Sequence, residues 1–195
     1  MNLPILSYGH SILRQKCDEI SSDYPDLQSL ISNMWETLYS ANGCGLAAPQ
    51  VGKPIRLFIV DTKIIYDHTD PEDRDEFFVA GDTGLVETFI NARVVERFGD
   101  PYEEDEGCLS IPNLSQRVKR PWSVTIEYFN RDFVKHTKTF EGTTARTVQH
   151  EYDHTDGVLY IDRINPLTRK LIDGKLKKIA IGKFPAKYPM IYKKR

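Results

Sequence analysis

Cysteine is scarce in this chain, three in 195 residues, an odd number without framework spacing, and that excludes a disulfide scaffold. No apolar run approaches the ~20 residues that span a bilayer, so no membrane segment is expected. Met1-Asn2-Leu3-Pro4 has no basic stretch leading into an apolar core, which argues against a secretory leader. Together these absences point to a reducing cytoplasm. No repeat or low-complexity segment interrupts the chain, and its length suits one domain, 1–195, with a substantial core. Net charge is small, formally -2, but unevenly spread. From Arg169 to Arg195 every acid except Asp173 is missing, while Lys and Arg abound. This basic C-terminal tail, about 175–195, is a solvated end or an electrostatic contact for ribosomal RNA.

What is present is concentrated in His150-Glu151-Tyr152-Asp153-His154. Residues four apart share one helix face, so both imidazoles can reach one cation while Glu151 exchanges a proton with a nearby water. Chance is the plain alternative for any such short match. A catalytic site of this kind takes three protein ligands and keeps a position open. A downstream Glu cannot be the third, because none follows Glu151. The longer HExxHxxGxxH pattern holds through Gly157 and fails at Tyr160. The third ligand therefore lies upstream. His10, His68 and His136 lack a supporting motif, and Cys17, within Arg14-Gln15-Lys16-Cys17-Asp18-Glu19, reads as surface. Cys108 follows the acids Glu103 to Glu106, which disfavour a free thiolate but not one held by a cation.

Three blocks then carry a resemblance: Gly43-Cys44-Gly45-Leu46-Ala47-Ala48-Pro49-Gln50, Glu106-Gly107-Cys108-Leu109-Ser110 and Gln149-His150-Glu151-Tyr152-Asp153-His154. In this order they are similar to the blocks of peptide deformylases, metallohydrolases that remove the formyl group from N-formylmethionine of new bacterial polypeptides. Weaker similarity runs from the N-terminus to about Leu171. The resemblance implies that Cys108, His150 and His154 hold one divalent metal ion, ferrous iron foremost, with zinc, nickel or cobalt as substitutes. It implies Glu151 as general acid/base, and Gln50 and the backbone N–H of Leu109 as oxyanion donors. Gly43, Cys44, Gly45 and Glu106 are expected along the bound N-formylmethionyl nascent peptide, and a monomer is expected. Three departures bear on pocket shape: Cys44 replaces a larger aliphatic residue, Thr143-Thr144-Ala145-Arg146-Thr147 is unusually polar, and Asn113–Arg117 offers no clear substrate-contacting Arg.

Two rivals remain at this point. One is a metallopeptidase cleaving internal peptide bonds; the other is a structural metal module that binds RNA. Glu106 is either an orienting group or one more surface acid, and Gln149 either supports the ligands or is exposed.

The expected layout is α+β, with antiparallel or mixed sheets around the metal-binding helix, because strands precede that helix in runs. Leu27, Leu30, Ile31, Met34, Trp35, Leu38 and Tyr39 follow helical spacing between Pro25 and Gly43, with Gly43 expected just past the helix end. Arg56 to Val60 reads as a buried strand, Phe89 to Phe98 as another, and Val124 to Phe140 as a hairpin turning at Asn130-Arg131-Asp132. Thr143 to Thr155 is the metal helix and Pro166 to Gly174 a last short one. Residues about 62–84 are acidic and aperiodic, an expected surface insertion.

Overall fold

The computed structural model describes residues 1–184 and 186–193. Strand β1 (Ile5–Leu6) precedes helix α1 (Leu27–Ser40), and β2 (Gly45–Ala47) and β3 (Leu57–Asp61) follow. Two short helices, α2 (Lys63–His68) and α3 (Arg74–Phe77), lead to β4 (Val86–Phe98). Strands β5 (Tyr102–Cys108), β6 (Ile111–Arg120), β7 (Ser123–Phe129) and β8 (Lys135–Glu141) come next. Helix α4 (Gly142–Thr155), helix α5 (Pro166–Ala180) and strand β9 (Met190–Ile191) complete the order. The fold is α+β, as expected.

Its centre is an antiparallel sheet in the order β2-β3-β4-β7-β8. Side chains alternate between the faces of a strand, and here each face meets a different helix. Leu46, Leu57, Ile59 and Ile90 pack with Ile31, Met34 and Leu38 of α1. Their sequence neighbours Ala47, Phe58, Val60 and Phe89 pack instead with Ala145 and Val148 of α4. Covered on both sides, β3 is buried throughout, and that is why Arg56 to Val60 reads as an unbroken apolar run. A separate hairpin, β5-β6, joins Ile161, Leu176 and Ile179 in a third cluster built on Ile111, Leu114 and Val118.

Several expectations shift in detail. Helix α1 ends in a Schellman arrangement: Gly43 N–H bonds Leu38 O at 3.1 Å and Asn42 N–H bonds Tyr39 O at 3.1 Å. The left-handed residue is thus Asn42, φ 53°, rather than Gly43, because Asn is among the few side-chain-bearing residues that tolerate that region. Cys17 is buried rather than superficial; its backbone N–H docks on Thr155 O at the end of α4. Helix α5 continues past Gly174 to Ala180, since Leu176 and Ile179 give it a buried face. The acidic insertion is less aperiodic than expected, for it contains α2 and α3 and buries Phe78. Of the expected basic tail, residues 175–180 are helical and β9 pairs in parallel with β1, while Lys194 and Arg195 lie outside the described residues. Among the described residues no helix is long and apolar enough to cross a membrane.

Candidate metal centre

Helix α4 is nearly all buried although much of it is polar, including Thr144, Arg146, Gln149, His150, Glu151, Asp153 and His154. A buried polar helix needs partners for every group. It ends in a second Schellman turn, with Gly157 N–H on His154 O and Val158 N–H on Asp153 O. Two turns of α4 present His150 and His154 side by side, ring centroids 5.2 Å apart.

The β5-β6 hairpin brings Cys108 to these rings. A register shift between Glu106 and Cys108 marks a bulge at Gly107, a feature that re-aims side chains next to sites. Leu109 and Ser110 then form a two-residue turn before Ile111, which pairs with Cys108. One ligand atom from each of Cys108, His150 and His154 lies within 4.8 Å of the others. Cys108 Sγ is 3.3 Å from His154 Nε2.

A set of one thiolate and two imidazoles suits a single divalent ion, and the rest of the geometry fits that ion. His150 gives its Nδ1 to Glu106 at 3.0 Å, which leaves Nε2 for the centre. Glu151 Oε2 and His154 Nδ1 are buried without a hydrogen-bond partner among the described residues. Burial lowers the His154 pKa, reinforced by the charge on His150. Burial also opposes charge on His150, but its bonds to Cys108 and Glu106 hold it well above the ordinary value. Burial pushes Glu151 up to about 7, partly offset by His150 and Arg120.

Glu106 is buried rather than a surface acid, and it too lines the cavity beside the centre. Besides His150, its oxygens accept from Arg120 at 2.6 and 2.8 Å and from Arg146 at 2.5 Å. Burial would raise its pKa, but the bonds from His150 and Arg120 outweigh it and hold the carboxyl well below the usual range. Arg120 also reaches Asp153 at 2.8 Å, and Asp153 accepts two bonds from Arg163. Sequence reasoning missed Arg120, Arg146, Asp153 and Arg163. Only Asp153 carried a signal, its place inside the HExxH block. Gln149 is buried but bonds Pro121 O, away from the ligands.

The first block closes the centre from the other side. Gln50, in the turn Ala48–Val51, is 1% exposed rather than solvated. Its Oε1 accepts from Ala47 N–H, which turns Nε2 to within 3.5 Å of Cys108 Sγ and 3.3 Å of Ser110 Oγ. Gly45 is required by space: a Cβ there would stand 2.7 Å from both Cγ and Cδ of Glu151. A Cβ on Gly43 would stand 2.9 Å from the Leu109 side chain. Gly43, Cys44, Gly45, Gln50, Leu109 and Glu151 line one cavity of about 1080 Å³, shared with Ile64, His68 and Phe77 of the insertion. The insertion is therefore a wall of the site as well as a surface feature.

The polypeptide deformylase family model matches residues 2–170. The chain belongs to that family. Peptide deformylase of Flavobacterium johnsoniae is 48% identical over 97% of this chain and 95% of its own. That of Christiangramia forsetii is 44% identical, again over 97% and 95%. Among solved structures, a peptide deformylase from Legionella pneumophila is 32% identical with TM-score 0.75, covering 91% of this chain and 95% of its own. Deformylases are metal-dependent, in accord with the Cys108, His150 and His154 group. The two rival readings, an internal-bond peptidase and a structural module, are not favoured by these relatives.

Proposed function

We propose that this chain removes the formyl group from N-formylmethionine at the start of newly made polypeptides, with Cys108, His150 and His154 holding the metal. The observation that carries the reading is the convergence of those three ligand atoms beside an unpartnered Glu151 carboxylate oxygen. When bound, the ion supplies Lewis acidity, which acidifies a water and polarises a carbonyl.

The remaining work falls to the chain. The formamide lies with its nitrogen toward Glu151 and its oxygen toward Gln50 Nε2 and the Leu109 N–H. Glu151 accepts a proton from the attacking water and returns it to the departing amine nitrogen, so that C–N cleavage releases formate and a free amino terminus. Gln50 and Leu109 donate to the oxygen as it gains negative charge, worth roughly 3 to 4 kcal/mol for each well-placed donor. The bond from Ala47 N–H fixes the Gln50 amide with Nε2 on the side of Cys108 and Ser110, beside the centre. Gly43, Cys44 and Gly45 offer backbone to an extended peptide at the mouth of β2. Glu106 serves the ligands through His150, from the wall of the cavity that takes the peptide.

Ferrous iron is the ion we propose for the living cell, in a cytoplasmic setting that three free cysteines also suit. Zinc, nickel and cobalt fit the same donors. Anaerobic purification with metal analysis decides among them. The basic C-terminal tail, about 175–195, is the surface proposed for transient ribosome contact, read out as salt-sensitive co-sedimentation.

Formate release from a formyl-methionyl peptide tests the main reading. Glu151→Gln keeps shape and ligands, so metal stays bound while turnover falls by 10²-fold or more, roughly the range for a lost general base. Retained turnover would remove Glu151 from its role.

A further inference from the structure

The chain beyond the family match, which stops at residue 170, reaches back to the centre. After α5 the strand β9 lies along β1, with Ile5 N–H on Pro189 O and Ser7 N–H on Ile191 O, both at 3.0 Å. Lys193 N–H closes on Ala180 O at 2.9 Å. These bonds fix a strap that carries Ala186, Lys187 and Tyr188 along the rim of the cavity. Tyr188 and Leu109 each pack against the α1 core, and the Tyr188 hydroxyl donates to the Leu109 carbonyl at 2.8 Å. In the turn just after β1, Tyr8 N–H donates to Ser110 O, also at 2.8 Å. Both carbonyls of the turn that follows Cys108 are therefore held from outside their own hairpin.

We propose that Tyr188 is a positioning residue for hydrolysis: its hydroxyl fixes the Leu109 main chain, and thereby aims the Leu109 N–H at the developing oxyanion. The proposal rests on the role given to Leu109 above. A two-residue turn has few backbone torsions to set, so anchoring one carbonyl restricts the adjoining peptide as well. Cys108 is anchored separately by its pairing with Ile111, so loss of the tyrosine hydroxyl disturbs the donor without releasing the ligand. An unanchored carbonyl turns to water, and the donor is then misplaced by a fraction of an ångström, enough to cost on the order of tenfold in rate.

The test compares wild type, Tyr188→Phe and Tyr192→Phe, each metal-loaded, on a formyl-methionyl peptide. Tyr192 accepts from Ala186 N–H at 3.4 Å within the strap, whereas the hydroxyl on the Leu109 carbonyl is that of Tyr188. Expected for Tyr188→Phe is a fall in kcat on the order of tenfold, with KM within about twofold and metal content equal to wild type. Tyr192→Phe keeps the wild-type kcat. An unchanged kcat in Tyr188→Phe overturns the proposal, as does a loss confined to KM, a loss matched by missing metal, or an equal loss in Tyr192→Phe. In each of those cases wild-type turnover leaves the deformylase reading standing. A wild-type protein that releases no formate ends that reading instead, and the role of Tyr188 with it.

Discussion

Replacing Glu106 by Gln isolates the group that couples the metal ligands to the buried charge network. The side chain keeps its volume and loses one negative charge. Three cations or donors depend on that charge: His150 at 3.0 Å, Arg120 at 2.6 and 2.8 Å, and Arg146 at 2.5 Å. Two effects are separable. An outer partner of a ligating histidine is typically worth 10- to 100-fold in metal affinity, which is about 1.4 to 2.7 kcal/mol. Breaking a buried ion pair costs roughly 3 to 5 kcal/mol of folding stability. Arg120 keeps Asp153, and Arg146 keeps the carbonyls of Val118 and Tyr102, so the low end, about 3 kcal/mol, is expected. Chelator competition measures the first effect, and urea unfolding of metal-free protein measures the second. The pH dependence carries its own sign. The Glu106 carboxyl is held well below its ordinary value of 4.5, so its stabilisation is complete above 4.5 and fades as pH falls toward the folded value. The stability gap between wild type and Glu106→Gln therefore narrows in acid. Equal metal affinity and equal apo-protein stability would show that Glu106 neither orients His150 nor balances the arginines.

Two further outcomes follow from close contacts and burial. Gly45→Ala places a methyl 2.7 Å from the Glu151 stem; kcat/KM on a formyl-methionyl peptide should fall on the order of 10²-fold with metal retained, and a wild-type rate would mean the carboxylate does not sit there. Cys17 is 4% exposed and its thiol is pushed up to about 11, chiefly by burial. At about pH 8 iodoacetamide should label Cys17 far more slowly than in urea-unfolded protein, because the thiolate is the reactive form; equal rates, read by mass spectrometry, would contradict the burial.

What could be read from the sequence was local. The helix α1 announced itself because its buried positions Leu27, Leu30, Ile31, Met34 and Leu38 recur at helical spacing. The candidate ligand pair His150 and His154 was legible for the same reason, with chemistry at i and i+4. Helix α4 itself was legible only through that motif, since its buried face is too polar to show a stripe. Cys108 was a ligand candidate from the upstream search and its acidic neighbours, before the resemblance singled it out, whereas Gln50 and Leu109 were reached through family resemblance alone. The arginine supports were not legible. Arg120, Arg146 and Arg163 come from β6, α4 and the loop after it, and nothing in their spacing says that they meet Glu106 and Asp153.

In two segments charge hid the apolar residues which decide where a segment packs. In the insertion, six acids between Asp67 and Glu76 outweighed Ile64, Ile65, Phe77 and Phe78, yet Ile64, Ile65 and Phe77 line the cavity and Phe78 enters the core. At the C-terminus, lysines suggested a solvated tail, yet Tyr188 and Met190 alternate as a strand does and pack on the α1 core. Surface charge is cheap to add and says little about position, whereas two or three apolar side chains at the right period can dock a whole segment. Both segments end against the cavity, so the features that family motifs leave open, its outer wall and the anchoring of its turn, reside where net charge is the poorest guide.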